Sequence, residues 1–515
     1  MTHSGPDPRR RRSDLAVALA LAAVLLGVFG LTGSKLGFGY EGQNIAQAEA
    51  LVRGTTGPRE AGGIEPYTQG GALEVAAYLP LAVLKVGLDR AGRLPGLRQL
   101  GYVFVIPLLT TVLCLVFYGL VLELYRDRRV AVLLTLLLAF TTTIWPYAKF
   151  GMETQQTLWT LAGVWVLLRY RERPTMGAAL GFGISLAALA LTKITGPLHA
   201  VALVLAGFWL LGQGGGAASH PSARRCLAAV VACAAVGAIL FLGTNRWRYG
   251  GWLWEGRYGM SAELTPFPLW EALWAVLFSP GKSLLLFSPP IIIGLWFWAA
   301  FWRRFPAMRP VWALMLVLGV AHLHNRPWAD ETWGPRRLHA LAPLLMLPVG
   351  IWIERFGDLH SRVRRLGVLV VLLGLWVQLV AVAFDYTALA RVLGNKPIFA
   401  QENTVWDPQL CPLRFNLHLA ASARHRAKTG DSIPFVYERH YLPWTAPKEP
   451  TAPEVYPVDG HDRLDLWYIQ QQADWPDRPY WFASLSSYLV LVLAALALGG
   501  MLALSLMVRR VRTPT

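Results

Sequence analysis

Apolar residues along this chain gather into runs long enough for a helix to cross a bilayer, which takes roughly 20 residues. Twelve runs are expected to be spans: 15–31, 101–124, 130–147, 153–169, 176–194, 196–212, 226–243, 284–302, 310–324, 338–353, 366–385 and 482–508. The segment 73–88 is also apolar. It is short and holds Glu74 and Lys85, so it reads as an interfacial helix. Polar stretches at 32–100, 244–283, 325–337 and 386–481 separate the spans. The last has a Pro-rich stretch from Pro443 to Pro457 and a helix expected at 413–427. The pattern predicts an all-α polytopic membrane protein of about twelve transmembrane helices.

Arginine placement orients these runs, because short cytoplasmic segments are enriched in Lys and Arg. With the N-terminus inside, the inner segments are the N-terminus, Tyr125–Arg129, Arg169–Pro174, the stretch around Arg224 and Arg225, Arg303–Arg309, Glu354–Arg365 and Arg509–Arg512. Each carries two or more arginines. The acids Glu41, Glu49, Glu60, Glu65, Glu255, Glu263, Asp330 and Glu331, and most of those between 385 and 480, fall in the other set. A span at 73–88 would invert every later loop. The expected protein therefore sits in the plasma (inner) membrane with both termini cytoplasmic. Its parts are a transmembrane catalytic domain over 1–385, an exoplasmic region over 386–481, and a last helix with a basic tail over 482–515.

Composition agrees. Of 515 residues, 54% are hydrophobic and 15% charged, against about a quarter charged in soluble chains. Mean hydropathy is +0.40. A net charge of +17 would suggest nucleic acid in a soluble protein. Here the arginines follow the sides of the membrane, and no nucleic-acid partner is expected. Cys114, Cys226 and Cys233 lie in apolar runs and Cys411 stands alone, so neither a disulfide framework nor a zinc site follows. Arg9 to Arg12 before Leu15–Leu31 resembles a signal-sequence start, but no small-x-small cleavage site follows, so an uncleaved anchor is expected.

Several motifs are absent: a Gly-rich dinucleotide fingerprint, His-Glu-x-x-His, Gly-x-Ser-x-Gly and Asp-x-Asp. Gly281-Lys282-Ser283 ends like a nucleotide-binding loop, but Val276 stands where that loop needs glycine, and the segment lies on the outer face. No cofactor is expected, and no motif supports a divalent metal. Glu41 follows the first span and opens an amphipathic stretch ending near Arg53 and Gly54. A partly desolvated carboxylate there can act as a general base. The alternative is an acid favoured by a helix N-terminus.

The run Tyr40-Glu41-Gly42-Gln43-Asn44-Ile45-Ala46 resembles the acidic motif after the first span in the GT-C superfamily of membrane glycosyltransferases, in the branch of protein O-mannosyltransferases and aminoarabinose transferases. Tyr40 replaces the usual first acid. Thr68-Gln69-Gly70-Gly71-Ala72-Leu73 is similar to that family's juxtamembrane helix, and Leu191-Thr192-Lys193 with Gly196-Pro197 to its Thr-Lys-Gly-Pro element. Phe278 to Ser283 with Phe287 to Pro290, and Trp333 to Leu338 with Pro343, resemble motifs of bacterial members.

The resemblance implies a GT-C-like fold with juxtamembrane helices in the first exoplasmic loop. It also implies transfer of a hexose or pentose from a polyprenyl-phosphate carrier to an envelope lipid, glycan or protein. Such a reaction needs a base for the acceptor and positive charge for the leaving phosphate. Glu41 is the candidate base, with Asp330 and Glu331 as second choices. Lys193, Lys282, Arg336 and Arg337 are candidate phosphate partners; Tyr258 and Trp333 are candidate sugar-stacking residues. Each has a plainer reading: Lys193 as a snorkelling cation, Lys282 as a solvated loop charge, Arg336 as a partner of Asp330 or Glu331. The aromatics Tyr249, Trp252, Trp254, Tyr258, Trp328 and Trp333 fit an interfacial belt equally well. His199, His322 and His324 read as structural. Rival functions are a transporter or flippase of lipid-linked sugars and a non-catalytic envelope scaffold.

Overall fold

A computed structural model of the chain describes residues 8–34, 40–55, 71–90, 102–151, 153–193, 195–212, 221–252, 268–323, 332–385, 387–393, 405–437, 453–469 and 480–510. Within them, six helices are long and apolar enough to cross a membrane: Ser13–Leu31, Tyr102–Tyr125, Arg224–Arg248, Pro306–Leu323, Ser361–Ala383 and Ser484–Met507. Each coincides with an expected run. The chain is a helical, multi-pass membrane protein.

The remaining runs are shorter, less apolar or broken. Those at 153–169, 176–194 and 196–212 are the helices Thr154–Glu172, Met176–Leu191 and Gly196–Gly212. The run at 130–147 is a pair, Arg128–Thr141 and Ile144–Phe150, meeting at 61°. At the bend the Thr142 hydroxyl turns back to the Leu138 carbonyl (2.6 Å) and Ser288 Oγ accepts the Thr143 N–H (3.2 Å). Irregular backbone is tolerated at membrane depth where other protein groups satisfy it. The runs at 284–302 and 338–353 are likewise in pieces. Leu284–Phe287, Ile291–Trp296 and Trp298–Arg304 make up the first, and Ala342–Met346 and Val349–Glu354 lie in the second. Pro289, Pro290, Pro343 and Pro348 each remove a helix donor there. The stretch 244–283, expected as an outer loop, holds the end of the helix Pro221–Tyr249 and an apolar helix, Leu269–Phe278. Its length is set by where the apolar run really stops.

Paired charges mark the arginine-rich end of the bundle: Asp14 with Arg128, Arg304 with Glu354, and Arg126 with Glu172 at 2.6 Å. The bent pair then carries the chain to the opposite end, where Trp145 Nε1 donates to Thr32 Oγ1 (3.0 Å) just past the first span.

At that opposite end, the interfacial segment is two helices, Ala72–Ala76 and Leu79–Arg90. The amphipathic helix Tyr40–Arg53 lies against them through Ile45, Ala48, Val75, Tyr78 and Ala82. Lys85 pairs with Glu49, Arg53 with Asp89 (3.1 Å), and the Tyr102 hydroxyl donates to Glu49 (3.2 Å). Of the two charges that kept this segment from reading as a span, Lys85 is used between helices, and Glu74 accepts the Gly71 N–H (3.1 Å) at the start of its own helix.

The region before the last span contributes a helix, Pro412–Thr429, ended by Gly430 at φ +88°. A two-stranded antiparallel ladder, Phe435–Tyr437 with Glu454–Tyr456, follows. Phe415, Leu419, Phe435 and Tyr456 form its small apolar core. The segment around Asp465 and Trp467 returns to the membrane helices. Trp467 Nε1 donates to the Gly30 carbonyl (2.9 Å) and Ser34 Oγ to Asp465 Oδ1 (2.8 Å). Lys149 Nζ, on the short arm of the bent pair, reaches the carbonyls of Val382 (2.8 Å) and Asp465 (2.7 Å) and Asp465 Oδ2 (2.8 Å). The four cysteines are unbridged, and burial pushes the Cys411 thiol above its ordinary value.

Candidate functional site

The bent pair ends at Gly151, which takes φ +61° and lets the chain turn sharply into the helix Thr154–Glu172. Glu153 caps that helix through its backbone, so its side chain is left to face across the bundle. It is buried, yet Lys193 Nζ lies 2.8 Å from its Oε1 and Arg336 Nε lies 3.6 Å from the same oxygen. Arg337 stands in the same narrow cleft, together with Gln156, Thr195, His322 and Ala340. One carboxylate thus meets three cations. A buried charge is stable only when paired, and Glu153 is such a partner for Lys193 and Arg336.

Each cation is placed by a local device. Lys193 follows the end of the helix Met176–Leu191, where Thr192 Oγ1 donates to the Leu189 carbonyl (2.8 Å). Gly196 closes that turn: a Cβ on it would fall 1.9 Å from the Leu189 carbonyl oxygen. Gly71, at the start of the juxtamembrane helix, packs so tightly on the same turn that a Cβ would fall 1.2 Å from the Thr192 carbonyl oxygen. Arg336 and Arg337 open a single 3-10 turn after Gly334, which has φ +69°. Lys282 Nζ donates to the carbonyls of Thr332 (2.6 Å) and Gly334 (3.3 Å), and Tyr147 OH to that of Trp333 (3.2 Å).

The sequence candidates therefore divide. Lys193, Arg336 and Arg337 come together. Lys282 is fully buried under the Thr332–Gly334 backbone rather than solvated, and it supports Arg336 through that turn. The Trp333 ring is fully buried and packs edge-on against Phe287, with centroids 5.0 Å apart. Glu41 lies in the first turn of the helix Tyr40–Arg53, with its side chain outside the described residues. Asp330, Glu331, Tyr258, Trp254, Trp328 and His324 also lie outside them. Trp252 is 61% exposed.

Sequence reasoning missed Glu153, taking it as the first residue of a span. The available signal was charge in an apolar context: Glu153 is the one charged residue between Lys149 and Arg169, followed by Thr154-Gln155-Gln156-Thr157. His322 was read as structural. It lines the cleft and stacks on His199, with centroids 5.6 Å apart. Among the described residues, no group of three or more His, Cys, Asp or Glu could hold a metal ion.

No family model and no curated protein matches the chain. Among solved structures it is similar to ArnT from Cupriavidus metallidurans bound to undecaprenyl phosphate, at 14% identity and TM-score 0.43, covering 81% of this chain and 72% of that one. It is also similar to the archaeal oligosaccharyltransferase AglB from Archaeoglobus fulgidus, in complex with an inhibitory peptide and a dolichol-phosphate, at 14% identity and TM-score 0.41. That match covers 77% of this chain and 59% of AglB.

Proposed function

We propose that this protein is a GT-C-like membrane glycosyltransferase that moves a sugar from a polyprenyl-phosphate carrier to an acceptor on the exoplasmic face. The observation that carries the reading is the cleft in which Glu153 faces Lys193, Arg336 and Arg337. A phosphate is an anion that these cations are suited to hold. Arg offers it a planar fork and Lys a point charge. The cleft lies at the end of the bundle away from the cytoplasmic arginines, where a lipid-borne phosphate at the interface can enter from the side.

In this reading the twelve runs are twelve spans, several of them kinked or split, and both termini lie in the cytoplasm of the inner membrane. The motifs on 68–73, 191–197, 278–290 and 333–343 serve one purpose, because Gly71, Lys282 and Gly334 hold the turns that present the cations. The acceptor oxygen attacks the anomeric carbon as the bond to phosphate breaks, with inversion. Glu41 takes the acceptor proton, and the cations stabilise the leaving polyprenyl phosphate. The region 386–481 covers the site or recognises the acceptor.

The test uses purified full-length protein, radiolabelled undecaprenyl-phosphate sugars and membrane-lipid or peptide acceptors. Sugar transfer that disappears in R337A and K193A is the expected result. Movement of the lipid-linked sugar across vesicles without transfer would favour a flippase, and retention of full transfer in both variants would overturn the assignment of the cleft.

A further inference from the structure

Behind the cleft lies a buried chain of hydrogen bonds whose direction can be worked out from its far end. Thr160 Oγ1 lies 2.7 Å from the Gln156 carbonyl, which can only accept, so the Thr160 hydroxyl hydrogen points there. His199 Nδ1 lies 3.1 Å from Thr160 Oγ1 and must therefore be the donor in that contact. A neutral His199 with its proton on Nδ1 has a bare lone pair on Nε2. His322 Nε2 lies 3.4 Å from that atom. Two bare nitrogens would repel, so His322 carries its proton on Nε2. The remaining nitrogen, His322 Nδ1, then has a lone pair, and no hydrogen bond to it is made among the described residues. His322 lines the cleft beside Arg337 and Glu153.

Of the cleft's other polar side chains, Arg336 and Arg337 are cations beside Glu153, and Thr195 and Gln156 bond to each other through the Thr195 hydroxyl and Gln156 Oε1 (3.0 Å). A neutral acceptor fixed in one tautomer does a different job: it asks the ligand for a hydrogen-bond donor. Resting on the lipid-linked-sugar reading above, we propose that His322 Nδ1 accepts a hydrogen bond from the sugar itself. The donor is the O–H or N–H on the ring carbon next to the anomeric carbon. That group lies one bond beyond the carbon bearing the phosphate, so a phosphate held by Arg336 and Arg337 keeps it close to His322, which lines the same cleft. His322 is thus a specificity residue, and His199 and Thr160 are positioning residues that set its tautomer. The sugar class is one that retains a hydrogen-bond donor at that carbon; 2-deoxy sugars are disfavoured. A site built around such a bond rejects a ligand lacking it, because the protein's polar atom is left unpaired.

The experiment measures Kd for full-length protein in nanodiscs with four probes: undecaprenyl phosphate, its mannose and glucose monoesters, and the 2-deoxy sugar that these two epimers share. The better epimer is expected to bind on the order of tenfold more tightly than the 2-deoxy form, the effect of one lost hydrogen bond. H322F should abolish that difference and leave undecaprenyl phosphate binding unchanged. H322Q, whose amide oxygen still accepts, should keep part of it, and T160V should reduce it by freeing the His199 tautomer. Nitrogen NMR of the histidine rings should show His322 protonated at Nε2 in the wild type; protonation at Nδ1 overturns the proposal. So does equal affinity for parent and 2-deoxy sugars, or an H322F loss as large for undecaprenyl phosphate as for the sugars. Wild-type protein that binds none of the four probes overturns the glycosyltransferase reading itself, a different result from binding the bare phosphate with no gain from any sugar.

Discussion

Lys193 and Glu153 form an ion pair at 2.8 Å although both side chains are largely withdrawn from solvent, with 13% and 6% exposure. Desolvation makes such a pair weak evidence of stability, while removal of one member is costly because the other charge remains buried. Glu153→Gln is therefore expected to lower stability by about 3 kcal/mol. Added undecaprenyl phosphate should restore more of the melting temperature in this variant than in wild type, since the ligand's charge replaces the lost one. Thermal unfolding in detergent, with and without the lipid, measures both effects. Equal lipid-induced shifts would separate Glu153 from the anion site.

Glu41→Gln is expected to abolish transfer while leaving the melting temperature and undecaprenyl phosphate binding near wild type. The amide keeps the shape and the helix start but cannot take a proton. Full activity in this variant would remove Glu41 as the base.

Gly71→Ala places a methyl group where the Thr192 carbonyl oxygen already lies, 1.2 Å from the new Cβ. Overpacking of this kind costs about 1–3 kcal/mol or more, and here relief can come only by moving the turn that holds Lys193. Transfer and phosphate affinity should fall together. Gly87→Ala in the neighbouring helix, with nothing within 4 Å of its Cβ, should alter neither. A paired assay of the two variants checks this.

Lys282→Met keeps the length of the side chain but removes the donor to the Thr332 and Gly334 carbonyls. Leaving such acceptors unsatisfied costs about 1–3 kcal/mol. Weakened undecaprenyl phosphate binding is expected as well, because the Trp333–Arg337 turn loses its support. Isothermal binding at matched folded fractions separates the two losses.

The transmembrane character was legible because it depends on long-range composition: each of the six long spans coincides with an apolar run, and the helix expected at 413–427 is present at Pro412–Thr429. The broken spans were not legible. Hydropathy sums over a window and is blind to direction, so the 61° bend after Thr141 looks like one continuous run. Lys193, Arg336 and Arg337 could be picked out as charges beside apolar runs. Glu153 could not be assigned to them, because its partners lie 40 or more residues away and meet it only through turns set by Gly71, Gly196 and Gly334. The burial of Lys282 and Trp333 was not legible for a related reason. Sequence indicates residue type, whereas burial under the 332–334 backbone is a property of the assembled bundle.

The bond set of Lys149 also dictates an order of assembly. This lysine lies on an early helix, yet its partners are at Val382 and Asp465, 233 and 316 residues further along. An ammonium without partners is strongly disfavoured in an apolar bundle. Before the chain around Asp465 has been synthesised, the short arm of the bent pair lacks these ties. Glu153 is four residues beyond Lys149, at the start of the next helix. The segment that leads into Glu153 is therefore held in part by chain made 316 residues later.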